Sequence, residues 1–173
     1  GPVIDSDALQ ILQQHQKRIV SEGRLIYQCE LSPETENGCF FAPMAVEIDS
    51  LDQLPREVFG PVLHVIRYRA RDLDRVIEQI NATGYGLTLG IHSRIDSQAM
   101  DIASRIRVGN AYVNRNMIGA AVGVQPFGGR GLSGTGPKAG GPGYLHRFAT
   151  ERTLTVNTAA VGGNASLLTL DDG

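Results

Sequence analysis

The sequence VLHVIRYRARDLDRVIEQINATGYGLTLGIHSRIDSQAMDIASRIRVGNAYV, residues 62–113, decides the fold class. Three runs rich in apolar and β-branched residues predict strands: 62–68, 87–92 and 110–113. Residues 73–80 carry apolar side chains at i, i+3, i+4 and i+7, which predicts an amphipathic helix with Asp72 as its N-cap. Residues 96–107 predict a second such helix. Strand and helix alternate, so we expect an α/β fold, a βαβ layered sheet with right-handed crossovers.

One more helix and two strands are predicted upstream of this stretch. Residues 6–22 are polar and glutamine-rich, with Asp5 or Ser6 placed to cap a helix and Gly23 placed to end it. Four apolar residues would form the buried stripe of this helix: Leu9, Leu12, Ile19 and Val20. Apolar, partly β-branched runs at 24–27 and 40–48 predict two strands joined by a loop.

Length and composition fit one globular domain. The chain has 173 residues, of which 42% are hydrophobic, with a formal net charge of -2 and a pI near 6.1. It has no basic excess to neutralise phosphates, so we predict no nucleic-acid partner. No apolar stretch reaches the roughly 18 residues that span a bilayer, and no charged-then-apolar leader opens the chain, so we expect a soluble, cytoplasmic protein. Cys29 and Cys39 lack metal-binding spacing and are interpreted as ordinary thiols, and no metal site is predicted.

Residues 119–143 are unusually rich in glycine, with ten glycines in twenty-five residues. This density excludes regular helix or strand, and a long loop inside a compact domain is usually functional or disordered. Its glycines would let the backbone approach a bound molecule closely, and Phe127 supplies a flat aromatic ring. We therefore predict a site for a small ligand with an apolar and an anionic part; a purely structural glycine-rich turn is the alternative.

This loop partly matches two nucleotide-binding motifs, but the residues around each match do not fit the motif. Gly129, Gly131 and Gly134 satisfy G-x-G-x-x-G, but Pro137 and further glycines follow where the motif needs a helix whose N-terminus meets a pyrophosphate. Residues 131–138 approach a P-loop, but a proline precedes the lysine and no Ser or Thr follows it. A nucleotide-binding module built on these glycines is therefore not expected.

Two motifs resemble those of the aldehyde dehydrogenase family: EVFGPV at 57–62 and PFGG at 126–129. They stand in the family's order, and GPVID at 1–5 resembles the segment that precedes them. Residues 112–127 and GPKAGGP at 136–142 look like the 1-pyrroline-5-carboxylate (L-glutamate γ-semialdehyde) dehydrogenase branch. The ending GGNASL at 162–167 is similar to the C-terminus of bifunctional proline utilization A proteins.

The resemblance implies an NAD-dependent oxidoreductase that converts L-glutamate γ-semialdehyde to L-glutamate in proline catabolism. It implies that Glu57 accepts hydrogen bonds from the nicotinamide ribose hydroxyls and that Phe59 packs near the nicotinamide ring. It also implies that the backbone N–H groups of Gly119 and Ala120 bind the carboxylate of the acidic aldehyde, with Phe127 against its aliphatic part.

The resemblance further implies that this chain is the C-terminal portion of the enzyme. In the family the cysteine nucleophile and the general-base glutamate precede the segment that resembles residues 1–5, so no catalytic residue is assigned here, and we expect the fragment alone to be inactive. FAD would be needed only in an upstream proline dehydrogenase domain of a bifunctional parent. Residues 1–149 would form part of the catalytic domain, and residues 150–173 an oligomerisation strand and tail of a homo-oligomer. A non-catalytic subunit-contact module of the same fold is the alternative.

Overall fold

The computed structural model describes residues 1–118, 120–121 and 123–157. This part of the chain contains three α-helices: α1 (Ser6–Glu22), α2 (Leu73–Ala82) and α3 (Asp96–Arg105). It also contains seven strands: β1 (Arg24–Gln28), β2 (Met44–Glu47), β3 (Val62–Val65), β4 (Tyr85–Gly86), β5 (Thr88–Ile91), β6 (Asn110–Val113) and β7 (Arg130–Gly131). Strand and helix alternate as predicted, and the α/β class is confirmed. None of the helices in the described ranges is long and apolar enough to cross a membrane.

The described strands are divided among three small sheets rather than joined in one layer. Strand β2 pairs with β1 in antiparallel and with β3 in parallel orientation. Strands β5 and β6 form a parallel pair, and β4 pairs with β7 in antiparallel orientation. The expected sheet is discontinuous, because β3 pairs with β2 and not with β5. A cavity of about 420 Å³ is lined by residues of both β3 and β5.

Helix α1 begins and ends where the sequence predicts. The Asp5 carboxylate accepts a hydrogen bond from the Ala8 N–H at 2.7 Å, which satisfies one of the free amides of the first turn. Gly23 follows the last helical residue, and a Cβ at Gly23 would lie 2.5 Å from the Glu47 carbonyl oxygen. Glycine is therefore required at this end of α1 because the backbone of β2 passes close by.

The main hydrophobic core lies between α1 and the sheet of β1, β2 and β3. Its buried members are Leu12, Ile19, Phe41, Met44, Val46 and Ile48. Leu9 is half-buried and Val20 is exposed, so the buried stripe of α1 is narrower than predicted. His15, which lies between Leu12 and Ile19 in the chain, is buried with them.

The five predicted strands are all present, and the runs 24–27 and 110–113 form strands over their whole length. The runs 40–48, 62–68 and 87–92 form strands that are shorter than predicted. The run 40–48 pairs only over Met44–Glu47, and the run 62–68 pairs with it only over Val62–Val65, since each strand needs a partner to extend its hydrogen-bond ladder. Residues 150–157 have no regular secondary structure, so the β-prone run 153–156 forms no strand within the described chain. Pairing of that run with a second subunit stays a prediction.

Two helix ends differ from the prediction for local reasons. Asp72 stands at the N-cap of α2, but its side chain makes no capping hydrogen bond. A 3-10 turn (Ala70–Asp72) leads into the helix, and the backbone of Asp72 is therefore not in the extended conformation of a capping residue. Helix α3 ends at Arg105 instead of 107. There the Asn81 side chain donates to the Arg105 carbonyl at 2.9 Å and accepts from the Arg107 N–H at 2.8 Å.

A pair of histidines joins α1 to β3 beside the core. The Nε2 atoms of His15 and His64 lie 2.9 Å apart, and the rings meet edge to face. A hydrogen bond between them requires at least one neutral imidazole. Burial lowers the pKa of both rings; the charge of His64 and that of Arg18 lower the pKa of His15 further, whereas Glu22 raises it. Arg18 also lowers the pKa of His64.

We expect the protein to lose stability as the pH falls from about 7.5 to about 5.5. Because the folded-state pKa of both histidines is lowered, the unfolded chain takes up protons first, near the ordinary pKa of 6.5. The free energy of unfolding is therefore highest above that pH and declines below it. His64→Gln should flatten this decline, whereas the same change at the exposed His92 should not. Urea denaturation at both pH values measures the slope, and an unchanged slope in His64→Gln would contradict the assignment.

Candidate functional site

The segment that leads into β3 exposes the two residues predicted to contact a cofactor. Glu57 is exposed and Phe59 is 88% accessible, whereas Val58 packs against the core. This in-and-out alternation is that of an extended segment. Gly60 lets the segment pass close to α1, since a Cβ at Gly60 would lie 2.3 Å from Cδ2 of Leu12. Glu57 and Phe59 are therefore both accessible to a ligand.

Glu57 lines the cavity of about 420 Å³ that is bounded by β3 and β5. Other lining residues include Arg56, Val62, Thr88 and Ser133. Among the described residues the Glu57 carboxylate makes no hydrogen bond or ion pair. Its oxygens can therefore accept hydrogen bonds from a ligand, as a carboxylate does from a pair of hydroxyl groups.

The turn at residues 126–128, which carries Phe127, is held by backbone and side-chain hydrogen bonds. The Phe127 N–H donates to the Ala139 carbonyl at 3.1 Å, and the Ala139 N–H donates to the Phe127 carbonyl at 2.9 Å. The buried side chain of Asn110, the first residue of β6, donates to the Pro126 carbonyl at 3.1 Å and accepts from the Gly128 N–H at 3.3 Å. Phe127 is half-buried and lines a second cavity, of about 510 Å³.

The glycines of the G-x-G-x-x-G sequence close a tight turn on itself. A Cβ at Gly129 would lie 2.2 Å from the Ser133 carbonyl oxygen, and one at Gly134 would lie 2.0 Å from the Gly129 carbonyl oxygen. Gly131 has φ +57°, a conformation that favours glycine, and it pairs with Tyr85 where β7 meets β4. No helix follows Gly134 until a 3-10 turn at Leu145–Phe148, so the helix that the nucleotide-binding motif requires does not stand directly after these glycines.

The two cavities adjoin. Leu87 and Ser133 line both of them, so the cavity with Glu57 and the cavity with Phe127 share a wall. Polar groups of the second cavity include Thr135 and Arg147, whose Nη2 donates to Thr135 Oγ1 at 2.9 Å. The cavity with Phe127 thus has both apolar and polar lining groups, and it lies next to the cavity that is lined by the Glu57 carboxylate.

Of the other predicted site residues, the structure describes Phe59 and Ala120 but not Gly119. Ala120 is exposed, and Gly119 lies outside the described residues, so the proposed pair of backbone amides stays a prediction. Phe59 is exposed near Glu57 in sequence but lines neither cavity. Asn110 is a residue that sequence reasoning missed; the signal was a polar side chain at the start of an otherwise apolar strand.

The two cysteines lie away from these cavities. Cys29 follows β1, and its N–H donates to the Pro43 carbonyl at 2.8 Å, while the Cys39 carbonyl accepts from the Val3 N–H at 2.7 Å. Both thiols are free and half-buried, and neither lines a cavity with Glu57 or Phe127. Over residues 1–118, 120–121 and 123–157, no three His, Cys, Asp or Glu side chains are grouped so that they could hold a metal ion.

Comparison with known proteins decides the family. The protein-family model described as "Aldehyde dehydrogenase family" matches residues 1–154. The chain belongs to this family. The match includes the Glu57 segment, the Phe127 turn and both adjoining cavities, so the sequence motifs and the geometry refer to the same family.

Relatives from the branch indicated by the sequence are similar over most of the chain. The bifunctional protein PutA of Rhizobium meliloti is 54% identical over 168 residues, which are 97% of this chain and 14% of that protein. A crystal structure of a Bradyrhizobium japonicum proline utilization A (PutA) mutant matches with a TM-score of 0.82 at 60% identity, covering 92% of this chain and 16% of the other. The 1-pyrroline-5-carboxylate dehydrogenase from Thermus with bound NAD matches with a TM-score of 0.75 at 37% identity, covering 86% and 28%.

These matches confirm the resemblance found in the sequence. The chain spans less than a third of the length of each of these relatives. It is therefore similar to a defined part of larger enzymes, within the aldehyde dehydrogenase portion that carries the motifs at 57–62 and 126–129.

Proposed function

We propose that this chain is the C-terminal part of the catalytic domain of an enzyme that oxidises L-glutamate γ-semialdehyde to L-glutamate with NAD. The observation that carries the proposal is the shared wall of two cavities, one lined by Glu57 and the other by Phe127. Similarity to PutA and to 1-pyrroline-5-carboxylate dehydrogenase supports the choice of substrate. The aldehyde and water would yield the carboxylic acid while NAD is reduced to NADH.

The cofactor would be bound beside Glu57. Its carboxylate has no partner among the described residues, and it suits the two hydroxyl groups of a ribose. Phe59 exposes a ring that could pack near a flat nicotinamide, and the relative from Thermus was crystallised with NAD. NAD, when bound, accepts a hydride; the role of Glu57 and Phe59 is to orient it.

The substrate would be bound beside Phe127. The backbone amides of Gly119 and Ala120 would bind the carboxylate, since small side chains leave such amides accessible. Phe127 would pack against the short aliphatic part of the aldehyde. A site with one aromatic wall and an amide anchor favours a short acidic aldehyde over a bulky apolar one.

The bond-forming groups would be supplied by other parts of a longer polypeptide. Covalent aldehyde oxidation needs a cysteine thiolate and a base, and Cys29 and Cys39 lie in the sheet of β1, β2 and β3 or its loops, outside both cavities. We infer that the 173-residue chain alone does not oxidise aldehydes. A bifunctional parent would hold FAD only in a separate proline dehydrogenase domain.

The same proposal includes the localisation of the enzyme and its oligomeric state. We infer a cytoplasmic homo-oligomer in which residues 150–173 contact another subunit. Exposed Leu154 and Val156 support such a contact, and the sequence continues with apolar Leu167, Leu168 and Leu170. If these contacts were the only role of the chain, it would be a non-catalytic subunit-contact module.

A substrate panel on the full-length enzyme separates these functions. With NAD, the enzyme should oxidise glutamate semialdehyde with a kcat/KM well above that for propionaldehyde or hexanal, and the isolated chain should be inactive with all three. Preference for an apolar aldehyde would overturn the substrate assignment. Cysteine-dependent turnover by the isolated chain would contradict the proposal that the bond-forming groups lie in other parts of the polypeptide. Absence of any turnover by the full-length enzyme would favour the subunit-contact module.

Replacing Glu57 by glutamine should raise the KM for NAD about tenfold, since a charge-assisted hydrogen bond is worth roughly 1.5–3 kcal/mol and the neutral amide keeps only part of it. The KM for the aldehyde should change little. Steady-state kinetics of the full-length enzyme give both values. Glu30→Gln, at an exposed acid outside both cavities, is the matched control; an equal effect of both variants would remove Glu57 from the cofactor site.

A further inference from the structure

Among the described residues, three buried side chains carry a nitrogen or oxygen atom: Asn110, His15 and Tyr112. Asn110 is the first residue of β6 and 8% exposed. A buried amide is costly unless its donor and acceptor are both paired. Asn110 is paired with two backbone groups, the Pro126 carbonyl and the Gly128 N–H, at 3.1 and 3.3 Å.

These two groups flank Phe127. Two further polar groups of the turn, the N–H and carbonyl of Phe127 itself, are bonded to Ala139 at 3.1 and 2.9 Å. The turn is thus held from two directions, by a backbone bridge on one side and by Asn110 on the other. Lys138 adds a third tie, because its Nζ donates to the Gly109 carbonyl immediately before β6.

We propose that Asn110 is a positioning residue that fixes the Phe127 ring at the substrate cavity and thereby sets the affinity for the short acidic aldehyde. This inference rests on the proposed function. The amide of Asn110 offers a donor and an acceptor on separate atoms of one group, whereas an ionised aspartate of the same size lacks the donor and leucine lacks both. Without Asn110 two backbone groups lose their partners and the turn moves, and a displacement of about 1 Å at a binding group can cost about 100-fold in catalysis.

The chain offers a matched side chain for comparison. Asn81 binds backbone in the same manner, to the Arg105 carbonyl at 2.9 Å and the Arg107 N–H at 2.8 Å. It lines neither the cavity with Glu57 nor the cavity with Phe127. Asn81 therefore stabilises the fold by the same kind of contact without touching the site.

The test compares Asn110→Ala, Asn110→Asp and Asn81→Ala in the full-length enzyme. Asn110→Ala should raise the KM for glutamate semialdehyde about tenfold or more, with the KM for NAD unchanged. Asn110→Asp keeps the size of the side chain and should also raise that KM, because the Pro126 carbonyl loses its donor; it decides the matter if the alanine variant does not fold. Asn81→Ala should lower the Tm without changing either KM.

The proposal is overturned if a folded Asn110 variant keeps the wild-type KM for the aldehyde, or if Asn81→Ala raises that KM equally. If the wild-type enzyme oxidises a different aldehyde, the proposed function fails on its own. The same comparison of KM values, made with that aldehyde, then still decides the role of Asn110.

Discussion

Replacement of Gly109 by alanine is expected to lower kcat/KM for glutamate semialdehyde about 100-fold, the cost of displacing a binding group by about 1 Å. A Cβ at Gly109 would lie 1.7 Å from the Gly128 carbonyl oxygen and 2.8 Å from the Gly129 Cα. Both are backbone atoms, so no side chain can rotate away to make room. The turn that carries Phe127 must move away from β6, and the contacts of Asn110 must break with it.

Steady-state kinetics of the full-length Gly109→Ala enzyme measures this effect, with circular dichroism to check that it is folded. Gly143→Ala is the matched control in the same glycine-rich region, because a Cβ there meets nothing closer than Pro137 Cβ at 3.8 Å. The control should retain wild-type kinetics. A folded Gly109→Ala enzyme with wild-type kcat/KM would show that the position of the turn does not govern substrate binding.

Replacement of Phe127 by alanine is expected to lower kcat/KM for glutamate semialdehyde about 10- to 100-fold, since burial of an aromatic side chain against a ligand contributes roughly 1.5–3 kcal/mol. The backbone bridge to Ala139 does not depend on the ring and should survive. The KM for NAD should stay near the wild-type value. Loss of both affinities together would indicate a general collapse of the site.

Phe148→Ala provides the control for Phe127→Ala. Phe148 belongs to the 3-10 turn Leu145–Phe148, is exposed, and packs its ring edge to face on Tyr144 at 5.4 Å between centroids. It lines neither cavity. Unchanged kinetics in this variant, beside a reduced kcat/KM in Phe127→Ala, would assign the effect to the ring in the cavity; equal losses would contradict the assignment.

The features that could be predicted from the sequence are those with local causes. The start of α1 follows from Asp5, whose carboxylate caps the N–H of Ala8 three residues further along. Gly23 marks the end of α1 in the sequence, but the structure requires glycine there because the backbone of β2 passes close by. The absence of a helix directly after the G-x-G-x-x-G glycines likewise follows from Pro137, three residues after the last glycine of the motif. The shortening of the strands at 40–48, 62–68 and 87–92 and the division into three sheets could not be predicted, because each depends on which distant strand supplies a partner.

The residues of the candidate site likewise differ in whether a local sequence pattern or a long-range contact identifies them. Glu57 and Phe127 could be predicted as site residues because motifs that resemble a family surround them. Asn110 was missed because its two partners lie 16 and 18 residues away, and the His15–His64 pair was missed because 49 residues separate its members. Contacts of this separation depend on the folded arrangement of β6, the glycine-rich loop, α1 and β3, which no local pattern encodes.

A crystal structure of the full-length enzyme with NAD and L-glutamate, the product, would locate both proposed binding sites. We expect the α-carboxylate of glutamate on the backbone amides of Gly119 and Ala120, and its aliphatic chain against Phe127. We also expect the nicotinamide ribose hydroxyls within hydrogen-bonding distance of the Glu57 carboxylate. Glutamate bound away from Phe127, or a ribose without contact to Glu57, would contradict the proposed function.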